Sequence, residues 1–360
     1  MNAGGAETFL MKIFRRIDRT KYMMDFAVAI PQKGLYDDEI EKMGGCVYHI
    51  TPKSSGIFRN FKDIKTLVAN RHYYSVLRVS QHSASALELL AAWLGGAKIR
   101  GFRSSNSNTT TGRKRDLLIH KVCMFMPRLF ANVRIAPSTE AAEYMFGKGC
   151  IKRKKAFILK NAIDLSVYSF SEKERSRIRN EFGFADSFVV GHIGRFNQQK
   201  NHFFLISVFV EIKRIMKDAK LLLVGVGEKE DEIKKAVLEN GIGDSVVFAG
   251  IRSDIPGILS AMDVFLFPSL YEGMPNTVIE AQACGLPCIV SDCITKEAKI
   301  TNLVEYIPLS ASAKEWAEAV VCHHIGERSD THNELSVQKY DINESVERFV
   351  DLLFMKGPND

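Results

Sequence analysis

No apolar run in this chain approaches the roughly 18–20 residues that a membrane-spanning helix needs. The best stretches, around Leu87–Leu94 and Leu221–Val226, are far too short. The opening residues, MNAGGAETFLMK, lack the basic-then-apolar layout of a secretory leader, which argues against secretion. The seven cysteines are an odd count, and Cys284, Cys288 and Cys293 form no CxxC hook. Neither a disulfide scaffold nor a zinc site is expected, and reduced thiols fit a cytoplasmic protein. There is no GxxxxGK[ST] segment, so a standard P-loop is excluded. Gly225-Val-Gly227-Glu-Lys-Glu230 starts like GxGxxG but carries Glu where the third glycine belongs, which disfavours a dinucleotide fingerprint. No Asp-x-Asp sits at a strand end, Glu228–Glu232 reads as an exposed helix start, and Cys322-His323-His324 has no spaced partners. No metal and no cofactor are expected.

What remains is an ordinary globular composition with an uneven charge. The 360 residues are 46% hydrophobic and 25% charged, and at about 150 residues per domain they suggest two domains. The net charge of +7 hides a division: residues 1–165 hold 28 basic and 13 acidic residues, leaving 21 and 29 for the rest. A first half at +15 beside a second at −8 points to an acidic partner, either a phosphorylated ligand, a membrane surface or nucleic acid. The basic runs Arg113-Lys-Arg115 and Lys152-Arg-Lys-Lys155 are not interleaved with stacking aromatics, so nucleic acid is not expected.

The second half alternates strand and helix signals. Strands are expected at 187–193, 220–226, 245–248, 263–268 and 287–291, with helices at 202–216, 228–239, 254–261 and 275–284. In the first half, 6–17 reads as an amphipathic helix with Lys12, Arg15, Arg16 and Arg19 on its basic side, and 84–94 as a second helix. Strands are expected at 25–30, 46–50, 74–79, 99–102 and 133–136, and 345–354 closes the chain as a helix. This alternation predicts an α/β protein of two doubly wound, Rossmann-like domains facing a cleft. The expected divisions are 1–165, 166–335, and a C-terminal 336–360 segment packing back on the first domain. Ligands then belong outside the carboxyl ends of the strands.

Two constellations carry chemistry. In Gly191-His-Ile-Gly194-Arg195-Phe-Asn-Gln-Gln-Lys200-Asn201, glycines after a strand admit a ligand close to the backbone. Arg195 as a planar fork and Lys200 as a point charge suit a diphosphate. In Glu272-Gly-Met-Pro-Asn-Thr-Val-Ile-Glu280, Pro275 suits a first helical turn and Gly285 the cap beyond the helix end. The leading amides around Asn276 and Thr277 would then offer an anion site. Glu272 and Glu280 are positioned to accept hydrogen bonds from hydroxyls. A phosphate site with two hydroxyl-reading carboxylates describes a nucleotide sugar.

Together these residues resemble the retaining glycosyltransferase family 4 of the GT-B fold. The resemblance rests on Gly194-Arg195, Lys200-Asn201, the strand KLLLVGVG, Phe248-Ala-Gly250-Ile-Arg252 with Asp254, and Tyr271-Glu272-Gly-Met-Pro-Asn-Thr through Glu280 to Gly285-Leu-Pro287. The first half, from Asn2-Ala-Gly-Gly-Ala-Glu-Thr8 to Asn161-Ala-Ile-Asp164, is similar to the exopolysaccharide and capsule branch. The resemblance implies that Arg195 and Lys200 hold the donor diphosphate, Glu272 the donor sugar and Glu280 the ribose, with Gly194 beside them. It implies that Gly250-Ile251-Arg252 faces the base and that Gly4-Gly5 lines the acceptor side. A departure stands at Arg103-Ser-Ser-Asn106, where many relatives carry a histidine-rich stretch.

The expected reaction is transfer from a UDP-sugar, with retention, to a saccharide on a polyprenyl diphosphate. The enzyme would be cytoplasmic and dock peripherally on the anionic inner leaflet through the 12–19 helix and the 113–115 run. Because a doubly wound sheet opens on a central strand, and only Met1, Asn2 and Ala3 precede Gly4, the first strand of the first domain is expected to be missing. Rival readings are a doubly wound nucleotide-dependent oxidoreductase, a sugar-nucleotide epimerase, or a sucrose- or starch-type transferase.

Overall fold

The computed structural model of the chain describes residues 5–105, 114–323 and 328–354. The chain divides into two compact units. Unit 1 holds residues 1–162 and 340–360, and unit 2 holds residues 163–339. Both are built as α/β layers.

Unit 1 runs α1 (Gly5–Arg16), β1 (Phe26–Val28), α2 (Asp37–Lys42), β2 (Val47–His49), α3 (Ile57–Arg71) and β3 (Ser75–Ser80). It continues through α4 (Leu87–Leu94), β4 (Ile99–Ser104), α5 (Lys114–Cys123), α6 (Phe125–Phe130), β5 (Val133–Ala136), α7 (Thr139–Phe146) and β6 (Phe157–Ile158). Unit 2 follows with α8 (Glu172–Phe182), β7 (Val189–Ile193), α9 (His202–Ile215), β8 (Lys220–Val224), α10 (Glu230–Glu239) and β9 (Val246–Gly250). Then come α11 (Ile255–Ala261), β10 (Val264–Phe267), α12 (Asn276–Ala283), β11 (Cys288–Ser291), β12 (Val304–Ile307), α13 (Ala313–Cys322) and α14 (His332–Val337). The last helix, α15 (Ile342–Leu353), belongs to unit 1.

Unit 2 is one parallel sheet in the order β12-β11-β10-β7-β8-β9. Alternate strand residues feed two apolar layers, as the two-residue side-chain period requires. Val189, Leu222, Phe265, Phe267 and Val290 pack beneath α8, α11 and α12. Val190, Leu221, Leu223, Leu266 and Ile289 pack beneath α9, α10 and α13. The chain proceeds outward one way through β7, β8 and β9 and the other way through β10, β11 and β12. The order therefore switches between β7 and β10, which is where an open α/β sheet binds ligands at its carboxyl edge.

Unit 1 contains two parallel sheets, β1-β2 and β3-β4-β5-β6. Among the described residues β1 pairs only with β2, and β3 only with β4. Between those two strands a continuous doubly wound sheet would carry a central strand, and here the sheet is divided. Helix α1 serves both parts. Its Met11 and Phe14 pack with Phe26 and Ile40, while Phe9, Ile13 and Ile17 pack with Ile99, Val133, Ile135 and Phe349 of α15.

The basic side of α1 carries contacts of its own. Arg15 forks onto Glu39 at 2.6 and 2.8 Å, Arg16 donates to Asn343, and Arg19 donates to the Phe14 carbonyl. These three arginines are exposed, and each has a partner within unit 1. Of the other expected docking run, Arg113 lies outside the described residues.

Candidate functional site

The glycine-containing loop after β7 and the loop after β10 are stitched together at the switch point. The Leu270 amide donates to the Gln199 carbonyl at 2.9 Å. The Gln199 amide side chain donates to the Tyr271 carbonyl at 2.8 Å, and Asn201 donates to the Pro268 carbonyl. Asn201 holds the left-handed conformation that closes the short 198–200 turn (φ 56°), a conformation asparagine tolerates well. The result sets Lys200 Nζ on Glu272 Oε1 at 2.7 Å, with the side chains only 15% and 12% exposed. The Lys200 ammonium also stands 4.5 Å from the centre of the Phe267 ring.

Gly194 makes room for this lysine. A Cβ there would fall 3.0 Å from Lys200 Cε and 2.9 Å from His192 Nε2. Gly225 (φ 132°) lets the neighbouring loop close in, because a Cβ on it would stand 2.1 Å from the Gly194 carbonyl oxygen. Thus Gly225-Val-Gly227, set aside above as a dinucleotide fingerprint, shapes the site by loop-on-loop packing. Hydrogen bonds from Gly194 to Val224 and from Phe196 to Val226 fix it.

Arg195 is 70% exposed and pairs with Glu228 at 3.1 Å. The Glu228 carboxyl lies below its ordinary range, first through its own backbone amide and then through Arg195. An exposed pair of this kind exchanges readily for a ligand anion.

In α12, Pro275 (φ −79°) is the residue before the helix rather than part of its first turn. The first intrahelical bonds run from the Val278 and Ile279 amides to the Pro275 carbonyl, so the leading amides at Asn276 and Thr277 precede the ladder. Gly285 (φ 62°) follows the helix end, the left-handed position that favours glycine. Glu280 lies one turn in and is 8% exposed. Tyr168, in the stretch joining β6 to α8, hydrogen-bonds to it, and burial followed by the Glu280 charge raises the phenol above its ordinary range. The sequence reading missed Tyr168, since nothing local marks it as a partner of Glu280.

Beneath the Lys200–Glu272 pair lies an aromatic column. His192 stacks on Phe265 and Phe267 and meets the His202 ring edge-on, the ring centres 4.8 Å apart. Its Nδ1 bonds with the Leu266 carbonyl at 2.9 Å. Burial lowers both imidazoles, His202 to about 4, with Lys200 adding to the effect.

Other expected residues fall elsewhere. The Arg252 guanidinium is spent on Asp254 and Glu181, leaving Ile251, 79% exposed, as the open part of its loop. Arg103 is buried over the Phe9 ring, 3.7 Å from its centre, and donates to Asn161, so it ties β4 to the following connector. Gly5 opens α1, whereas Gly4, Asn106 and His324 lie outside the described residues. His323 pairs with Glu305 at 2.8 Å.

Fold and site together define an α/β protein whose candidate site lies at the switch point of a parallel sheet. The glycosyl transferases group 1 family matches residues 187–325. The glycosyltransferase EpsF of Bacillus subtilis (strain 168) is 30% identical over 326 residues, which span 89% of this chain and 84% of EpsF. The UDP-Gal:alpha-D-GlcNAc-diphosphoundecaprenol alpha-1,3-galactosyltransferase of Escherichia coli is 28% identical over 64% of this chain and 62% of its own length. Among solved structures, HepE of Anabaena, in complex with UDP and glucose, superposes with a TM-score of 0.77 at 20% identity, covering 97% of this chain and 95% of its own. The chain belongs to the group 1 glycosyltransferases and has the GT-B fold. No helix among the described residues is long and apolar enough to cross a membrane.

Proposed function

We propose that the protein transfers a hexosyl or N-acetylhexosaminyl residue from a UDP-sugar, with retention, to a saccharide on a polyprenyl diphosphate in exopolysaccharide or capsule synthesis. The observation that carries this reading is the nearly buried Lys200–Glu272 pair at the β7/β10 switch point, ahead of α12 and Glu280. Support for the acceptor class comes from the undecaprenyl-linked substrate named for the Escherichia coli relative.

In this reading Arg195 and Lys200 bind the donor diphosphate, and Gly194 keeps the backbone out of its way. The leading amides at Asn276 and Thr277 add a positive helix end. Glu272 accepts from donor-sugar hydroxyls and orients Lys200. Glu280, held by Tyr168, accepts from the ribose hydroxyls, and the Gly250–Ile251 backbone faces the base. Breaking the anomeric C–O bond leaves the electron pair on the departing diphosphate. Lys200, Arg195 and the α12 amides stabilise that charge, each preorganised donor being worth about 2.7–4 kcal/mol. These cations do the work without a metal ion. The enzyme works in the cytoplasm, peripherally on an anionic inner-leaflet surface, and binds no nucleic acid.

The test is a panel of UDP-, GDP-, ADP- and TDP-sugars scored by thermal stabilisation in the presence of chelator. UDP-sugars should raise Tm and the others should not. Stabilisation by another nucleotide class, or only after manganese is restored, overturns the donor assignment.

A further inference from the structure

The imidazole column beneath the Lys200–Glu272 pair holds hydrogen-bonding capacity that nothing in it uses. His192 is fully buried, and its Nδ1 donates to the Leu266 carbonyl, since a carbonyl can only accept. Burial holds this ring well below its ordinary pKa, with His202 and Lys200 adding to the effect, so Nε2 is left as a bare acceptor. Among the described residues that Nε2 has no hydrogen-bond partner, and neither has either ring nitrogen of His202, which is 1% exposed. A buried acceptor without a donor is costly, and one that is retained calls for an occupant.

The space beside Nε2 is the one that Gly194 leaves open. A Cβ at Gly194 would stand 2.9 Å from His192 Nε2, 3.0 Å from Lys200 Cε and 3.1 Å from Lys200 Cδ. The lysine stem therefore runs past the His192 lone pair across a gap that any other residue would fill. The ammonium at its end has three N–H donors. One goes to Glu272 at 2.7 Å, and the group stands over Phe267, whose ring stacks on His192.

We propose that His192 is a positioning residue for Lys200: when the donor-sugar hydroxyls take Glu272, the Lys200 ammonium turns one N–H to His192 Nε2 and keeps the others on the donor diphosphate. This deepens the proposed function and rests on its donor assignment. Without a second acceptor, an ammonium released from Glu272 regains the freedom of its long side chain. The charge that must meet the departing oxygen is then no longer held in place. The burial that keeps both imidazoles uncharged also keeps them from repelling Lys200.

Two variants separate the acceptor atom from the packing. His192→Phe keeps an aromatic ring in the column and removes the acceptor, while His192→Gln returns an acceptor to the ε position. Turnover is followed as UDP released from a UDP-sugar, with undecaprenyl-diphosphate-linked GlcNAc in vesicles as acceptor. Calorimetry gives UDP affinity, and Tm reports integrity. A crystal structure of the unmodified enzyme with a non-hydrolysable UDP-sugar analogue supplies the geometry and needs no acceptor.

His192→Phe should lower kcat about tenfold or more, with the donor KM and UDP affinity changing far less. His192→Gln should recover most of that kcat, which a purely structural role would not allow. In the complex, Lys200 Nζ should lie within about 3.2 Å of His192 Nε2. Undiminished kcat in a folded His192→Phe, a loss that a folded His192→Gln does not recover, or a Lys200 that stays away from Nε2 in the complex overturns the inference. If His192→Phe does not fold, the crystal structure decides alone. An enzyme that binds the analogue with Lys200 on His192 but releases no UDP with this acceptor leaves the inference standing and the acceptor class refuted. An enzyme that binds no UDP-sugar refutes the donor assignment and the inference with it.

Discussion

In unit 2 the candidate site's groups are paired and largely hidden: Lys200 lies on Glu272, Glu280 behind Tyr168, and two buried imidazoles of lowered pKa lie beneath them. Unit 1 inverts this arrangement, leaving Phe58 on α3 at 92% and Val122 on α5 at 63% exposure. The contrast follows from what each region is proposed to meet. A nucleotide sugar is small, charged and rich in hydroxyls, so it demands preorganised polar groups in a desolvated site. Buried pairs should therefore respond to substitution through turnover, and the open face through membrane binding.

The sharpest contrast is at Lys200. Lys200→Met, which strands the Glu272 carboxylate, should lower kcat about a hundredfold or more, and Glu272→Gln should act chiefly on turnover as well. Steady-state kinetics with vesicle binding measured in parallel checks this, since flotation should not move. Arg195→Ala, at an exposed position, should instead weaken donor binding by about 2 kcal/mol, read by UDP calorimetry. A smaller effect belongs to Tyr168→Phe. Loss of its bond to Glu280 should cost about 1 kcal/mol in donor affinity with kcat nearly unchanged.

The buried histidines of unit 2 add a pH signature, and burial lowers His120 of unit 1 in the same direction. Because the folded pKa of His202 is depressed to about 4 from an ordinary 6.5, the unfolded chain binds more protons between those values. Stability is full above about pH 6.5 and falls as pH drops towards about 4. Thermal melts of His202→Phe across that interval should show a shallower acid limb. The smallest effect is expected at Arg252→Ala, which breaks the contacts to Glu181 and Asp254. It should lower Tm modestly and leave UDP affinity intact.

Unit 2 was legible in the sequence because its strands are short continuous apolar runs, such as KLLLV at β8, punctuated by glycine and proline. The Glu272 and Glu280 spacing, with Gly285 closing the helix, was local and therefore readable. Helix α3 was not seen, because Ile57 and Phe58 face solvent and blur its apolar period. Helix α7 is likewise absent from that reading, although α11 and α12 are no longer than it. The roles of Tyr168 and of the Gly225 approach to Gly194 depend on contacts across the sheet, which no local pattern encodes. The engaged arginines of α1 follow the same rule: their partners Glu39 and Asn343 lie 24 and 327 residues away.

The central claim is tested most directly by following labelled sugar from a UDP-sugar into lipid extracted from vesicles containing an undecaprenyl-diphosphate-linked saccharide, with chelator present throughout. The account predicts label in the lipid fraction for the unmodified enzyme and its near-disappearance for Lys200→Met. Label that stays in the aqueous phase, or that reaches lipid equally with Lys200→Met, would contradict it.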